Sequence, residues 1–346
     1  MGQAVAGVAG GASAIFSVWN ISAPTGLWIT MNQFQLIMLL LLTKSNIPRS
    51  IVSYLSGLKT TTCSFNFIPF KDIPGIGNMA NDLDFGLPDK DLSYFGIISG
   101  STFTNNFSLI CIIMIFILIH STFLLIHKLL KLKVKSKKKW VKWMEKTYQF
   151  FGFSLYIRVM FEANIFLLLS SFSELYNWNT SSTSKIISLI LAFVGSWICV
   201  NFISMSLINW VKHKDTQNMD NYIPLKEFFS GFKTSRASKL YPTLLLSRRA
   251  LFVALLVFGG SLNNFTLLCP MIIIQLAYLI NLVMIKPFKQ MKDNVIEVTN
   301  EWYYFVMILL LAYFNRKDRW TSAIENTYFL IILGNSMSII SIMIGM

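Results

Sequence analysis

The chain is poor in the residues that soluble chemistry uses. Its 346 residues include three histidines (His120, His127 and His213) and four cysteines (Cys63, Cys111, Cys199 and Cys269). No C-x-x-C, paired Cys/His spacing or H-E-x-x-H occurs, so neither a zinc site nor a disulfide framework is indicated. The G-x-S-x-G nucleophile turn and the phosphate-binding P-loop are missing as well. His120 lies inside an apolar run and His127 ends it, so the two do not form a ligand pair at helical spacing. Charged residues make up 13% of the chain, about half the share of a soluble domain. These absences argue against a soluble enzyme, and no metal and no cofactor is expected.

What is abundant is apolar surface. Residues of the AVILMFWYC set reach 54%, with 29 Phe, 12 Tyr and 9 Trp, and the mean hydropathy is +0.56. Apolar runs of about 18 residues or more recur, each long enough for a hydrocarbon core about 30 Å thick. In lipid the backbone must satisfy its own hydrogen bonds, and coiling does this within one segment. The expected class is all-α, a polytopic transmembrane bundle of about eight crossings in one domain, 1–346. The clear runs are 27–43, 107–127, 148–172, 185–209, 244–262, 265–285 and 324–345. Residues 4–18 and 301–314 are shorter, with uncertain ends. Residues 47–58 place Ile47, Ile51, Val52, Leu55 and Leu58 on one face, the pattern of a short interfacial helix.

Thirty Lys+Arg face 16 Asp+Glu, a net charge of +14. No soluble segment interleaves basic and aromatic residues, so nucleic acid is not a partner. Nine lysines instead crowd residues 128–146 beside Trp140 and Trp143, which marks 128–147 as a basic cytoplasmic connector. That assignment makes 63–104 an extracytoplasmic loop. It also places the sequons at Asn106, Asn179 and Asn264 outside, and Asn20 inside. Asn179 and Asn264 are the glycosylation candidates. The host is the plasma membrane or an endomembrane.

The sharpest polar feature is Arg158 and Glu162, one helical turn apart inside an apolar run. Charges in lipid are costly and turn toward the bundle interior. The pair reads either as a gating or ion-path element or as a permanent clamp between helices. Gln275, Tyr278 and Asn281 fall near one face of another run, and Asn335, Ser338 and Ser341 recur at spacings of three. Such stripes line a path that replaces hydration water, or make ordinary bonds between helices. Lys137, Lys138, Lys139, Arg248 and Arg249 are candidates for anionic lipid head groups or plain topological anchors. The aspartates at 72–91 lack calcium-loop spacing and read as a solvated loop.

Several short motifs follow one another in a fixed order. They are Leu27-Trp28 through Asn32-Gln33-Phe34-Gln35-Leu36, Ile47-Pro48 with Tyr54-Leu55-Ser56-Gly57-Leu58, and Phe65-Asn66-Phe67-Ile68-Pro69-Phe70. Then come Tyr156-Ile157-Arg158 with Glu162-Ala163, Leu246-Ser247-Arg248-Arg249, and Lys286-Pro287-Phe288 followed by Asn294 and Asn300-Glu301. In this order the chain resembles the TRP/polycystin-like transmembrane module at the C-terminal end of ciliate surface proteins with cysteine-rich, growth-factor-receptor-like repeats. That module is distantly similar to the TRP-like domains of fungal flavin-carrier proteins. The cysteine-rich repeats are not in this sequence. The resemblance implies a TRP-like helical bundle acting as a channel or transport subunit, in a homo- or hetero-oligomer. The other expectation is a non-conducting scaffold or anchor that binds proteins or lipids.

Overall fold

The computed structural model describes residues 25–43, 45, 47–56, 82–83, 90–133, 155–212, 231–233, 235–313, 324–328, 331–332 and 334. Among them there is no strand, and eight α-helices carry the fold. They are α1 (Thr25–Leu39), α2 (Arg49–Ser56), α3 (Thr102–Lys133), α4 (Leu155–Tyr176), α5 (Thr183–Lys212), α6 (Tyr241–Phe258), α7 (Asn264–Ile285) and α8 (Met291–Tyr313). Short 3-10 turns follow α1 at Leu40–Thr43, span Lys90–Phe95, and precede α6 at Ser238–Leu240.

Six helices, α3 to α8, are long and apolar enough to cross a membrane. At 1.5 Å per residue, the 22 residues of α4 or α7 reach about 33 Å, enough for the hydrocarbon core. The chain is therefore a multi-pass, membrane-embedded helical protein. The expected count of about eight is met in part. Of the 27–43 run, Asn32–Thr43 is apolar but short, residues 4–18 lie outside the described residues, and 324–345 is described only in fragments. The basic connector lies outside them beyond Lys133, and a short helix, α2, forms within the 47–58 segment.

The last described crossing corrects the sequence reading. The sequence reading gives a short span at 301–314, with 286–300 as the inner-side loop before it. The helix begins at Met291, and the loop shrinks to five residues. Asp293, Asn294, Glu297 and Asn300 are the reason, because all four are buried within the bundle. Asn294 also folds the short loop. Its Oδ1 accepts from the Phe288 amide at 3.0 Å, and its Nδ2 donates to the Phe288 and Gln290 carbonyls. Lys286 turns the chain with φ 46°, immediately before Pro287.

α4 is the hub. In its membrane-length stretch 78% of residues are buried, against 6% in α3. It packs against α5, α6 and α3, while α6 also touches α7 and α5, and α8 packs on α7 and α1. Close approach of α4 and α5 depends on Gly195, where an added Cβ would lie 2.7 Å from Ser171 Oγ and 3.1 Å from Leu167 Cδ1. The surface distribution is that of a protein solvated by lipid. Met114, Ile115 and Leu118 of α3, Ile190, Phe193 and Trp197 of α5, and Ile273, Ile280 and Met284 of α7 are exposed. A soluble monomer does not carry apolar surface on this scale.

Candidate functional site

The polar groups that the sequence scatters over five helices meet in the interior. Arg248 of α6 forms a bidentate ion pair with Glu301 of α8, with Nη2 donating to Oε1 at 2.9 Å and Nη1 to Oε2. Arg248 also donates to Gln275 Oε1 of α7 at 3.1 Å. The Gln275 amide nitrogen donates to Glu301 Oε2 at 2.8 Å and to the Glu301 carbonyl at 3.1 Å. The Tyr278 ring lies under the guanidinium, 3.7 Å from its central carbon, a cation–π contact. One turn before Glu301, Glu297 accepts from Tyr241 Oη at 2.6 Å. Both carboxylates and both arginines are almost fully buried.

Arg249 points the other way, toward α1 and α4. Its Nε and Nη2 donate to Asn32 Oδ1 at 3.0 and 2.6 Å, and Nη1 donates to the Phe161 carbonyl at 2.5 Å. Among the described residues, Arg249 is the positive charge that acts on Glu162. Among the described residues Glu162 Oε2 has no hydrogen-bond partner, and neither do Asn32 Nδ2, Gln35 Oε1 and Asn300 Nδ2. α1 is stitched in by two amides: Gln33 donates to the Asn300 carbonyl at 2.7 Å and Gln35 to the Glu162 carbonyl at 2.9 Å. Arg248, Gln275 and Glu301 each sit near the centre of their own span, so the network lies at mid-depth. Among the described residues it holds three carboxylates and two guanidiniums.

These positions change several sequence assignments. Arg248 and Arg249 do not face lipid head groups. They are 2% and 0% exposed and serve as the cationic core of the bundle. A run of two arginines at a span's start resembles an anchor in sequence, but the start of α6 lies seven residues earlier, at Tyr241. The face shared by Gln275, Tyr278 and Asn281 divides, because Asn281 is exposed and its amide bonds back to the Ala277 carbonyl at 2.8 Å. Glu162 is buried as expected, while the Arg158 side chain lies outside the described residues. Asn335, Ser338, Lys137, Lys138 and Lys139 lie outside them too.

Of the sequons, Asn106 is buried and donates to Ser170 Oγ at 2.7 Å, which denies it to glycosylation. Asn179 stands in the α4–α5 loop and Asn264 opens α7. His120 stacks near Tyr156, with ring centroids 6.4 Å apart.

A further buried acid, outside the network, escaped the sequence reading. Glu174, near the end of α4, accepts from the Thr102 amide at 2.6 Å and from Ser188 Oγ at 2.9 Å. Thr102 opens α3, so a carboxylate from a neighbouring helix caps the positive end of that helix. Ser101 and Ser188 complete the cluster at 2.8 Å. No local spacing could reveal it, since 72 residues separate the partners. On the same side, Asp82 accepts from Ser182 Oγ at 2.7 Å. That bond, with Ser184 beside it, holds the Asp82 carboxyl below the ordinary aspartate range.

No family model, curated protein or solved structure matches the chain.

Proposed function

We propose that the protein is a membrane channel or transport subunit of the TRP/polycystin-like kind, with the ionic network at mid-depth as its gate or ion path. The observation that carries this reading is the burial of Glu162, Arg248, Arg249, Glu297 and Glu301 on facing sides of three spans. Burying ions in a bilayer is expensive, and such groups mark ion paths, proton relays or sensors. Glu162 and its neighbours Asn32 and Gln35 keep unpaired polar atoms, the kind of groups that replace an ion's hydration. Among the described residues three carboxylates stand against two guanidiniums, which favours a cation. The ordered motifs that resemble the TRP/polycystin-like module also supply Asn32, Gln33, Gln35, Glu162, Arg248, Arg249 and Glu301, which supports the same reading.

The test is flux of cations through the purified protein in liposomes, wild type against Glu162→Gln. Flux that the substitution alters in rate or selectivity supports the proposal. Folded protein that passes no ion under any voltage, pH or lipid tried refutes it.

One observation favours the second reading, a non-conducting scaffold. The Arg248–Glu301–Gln275 cluster closes on itself through its own hydrogen bonds, and it lines neither the cavity at the Tyr176 end of α4 nor the groove between α7 and α8. A scaffold would hold its fold and its partners with no flux, so the same assay separates the two.

A further inference from the structure

A cavity of about 330 Å³ opens where the C-terminal ends of α4 and α6 meet the 3-10 turns at Leu40–Thr43 and Lys90–Phe95. It lies away from the ionic network, at the Tyr176 end of the bundle. Its wall mixes apolar side chains, Leu92, Leu169 and Leu256, with polar ones, Ser173, Asn177 and Ser261. Among the described residues no Asp, Glu, Lys, Arg or His lines it. The volume falls in the range of small-molecule sites and far exceeds the roughly 30 Å³ share of one water.

Ser173 is what marks the cavity as a site. A serine within a helix ordinarily bonds back to a carbonyl one turn earlier. Ser170 does so to Leu167, Ser196 to Ala192 and Ser204 to Val200. Ser173 Oγ has no partner among the described residues although the residue is 2% exposed. A buried hydroxyl left unpaired is destabilising, so a partner inside the cavity removes that penalty. The two helix C-termini present carbonyl ends. They favour a ligand that donates a hydrogen bond and disfavour an anion.

We propose that this cavity binds an uncharged amphiphile with one hydroxyl, the size of a medium-chain alcohol. The hydroxyl bonds Ser173 Oγ, and the aliphatic body lies against Leu92, Leu169 and Leu256. The binding is independent of the transport reading, because it uses none of the network residues and needs no flux.

The probe is octanol bearing a photoreactive diazirine, applied to the full chain in phosphatidylcholine nanodiscs, with labelled residues mapped by mass spectrometry. Labelling is expected to concentrate within 169–177 and 256–261. Unlabelled octanol should displace it, and octanoate should not. Ser173→Ala, which removes one hydrogen bond without adding bulk, should lower labelling about fivefold. Leu256→Trp, which fills the space, should abolish it. Labelling of the lipid-facing residues of α3 and α5 serves as the control for fold and should stay constant in both variants. Three results overturn the proposal: labelling no denser at the cavity than on those faces, labelling indifferent to Ser173→Ala while the control is intact, or equal competition by octanoate.

Discussion

Arg248 and Glu301 face each other across the centre of the bundle in a two-pronged ion pair, with Gln275 bonded to both and the Tyr278 ring beneath the guanidinium. Each charge is tolerable there because of the other. Removing one partner leaves an uncompensated buried ion, a cost of about 3–5 kcal/mol. Glu301→Leu and Arg248→Leu should therefore each lower the unfolding temperature in detergent sharply, while the double substitution should recover most of the loss. Two single losses that simply add in the double variant would show that the pair is not coupled.

The cap on α3 makes a separate prediction. Glu174→Gln keeps the shape but removes the negative charge from the helix start, worth roughly 0.5–2 kcal/mol. Amide exchange at Thr102 to Asn105 should speed up several-fold, with the centre of α4 unchanged. Unaltered exchange at Thr102 would mean that the carboxylate does not hold that helix end.

Gly195 tests the α4–α5 contact. Gly195→Val would drive branched carbon into Ser171 and Leu167, and overpacking of this kind costs about 1–3 kcal/mol. Gly195→Ala should cost less, and adding Ser171→Ala should restore part of it. Equal thermal stability of Gly195→Val and the wild type would contradict the packing.

Most of the helices were legible in the sequence because lipid demands about 20 apolar residues in a row, and that demand is met locally. The start of α8 was not. Glu297 and Asn300 look like loop residues until Tyr241 and Gln33 are placed beside them, and those partners come from distant parts of the chain. Buried polarity inside an apolar bundle defeats hydropathy for this reason. The same limit hid Glu174. Arg248 and Arg249 were singled out but given to the membrane surface, because Glu301 and Asn32 stand 53 and 217 residues away.

Asp82 supplies a pH prediction. Its folded value is depressed by the Ser182 hydroxyl, then by Ser184, so its stabilising bond is fully present above the unfolded value. That bond is lost only as pH falls through the lower folded value. Protease nicking around residue 82 should stay constant from neutral pH down past the ordinary aspartate range and rise below it. In Ser182→Ala the rise should begin at higher pH. An onset unchanged by that substitution would remove Ser182 as the cause.

The most direct measurement is the reversal potential of current through the reconstituted chain under a potassium chloride gradient, with wild type and Glu162→Gln compared at equal protein density. A cation path lined by the buried carboxylate of Glu162 predicts a potential displaced toward that of potassium, and a smaller displacement in the variant. A folded, correctly inserted wild type that gives no current, or a potential displaced toward chloride, contradicts it.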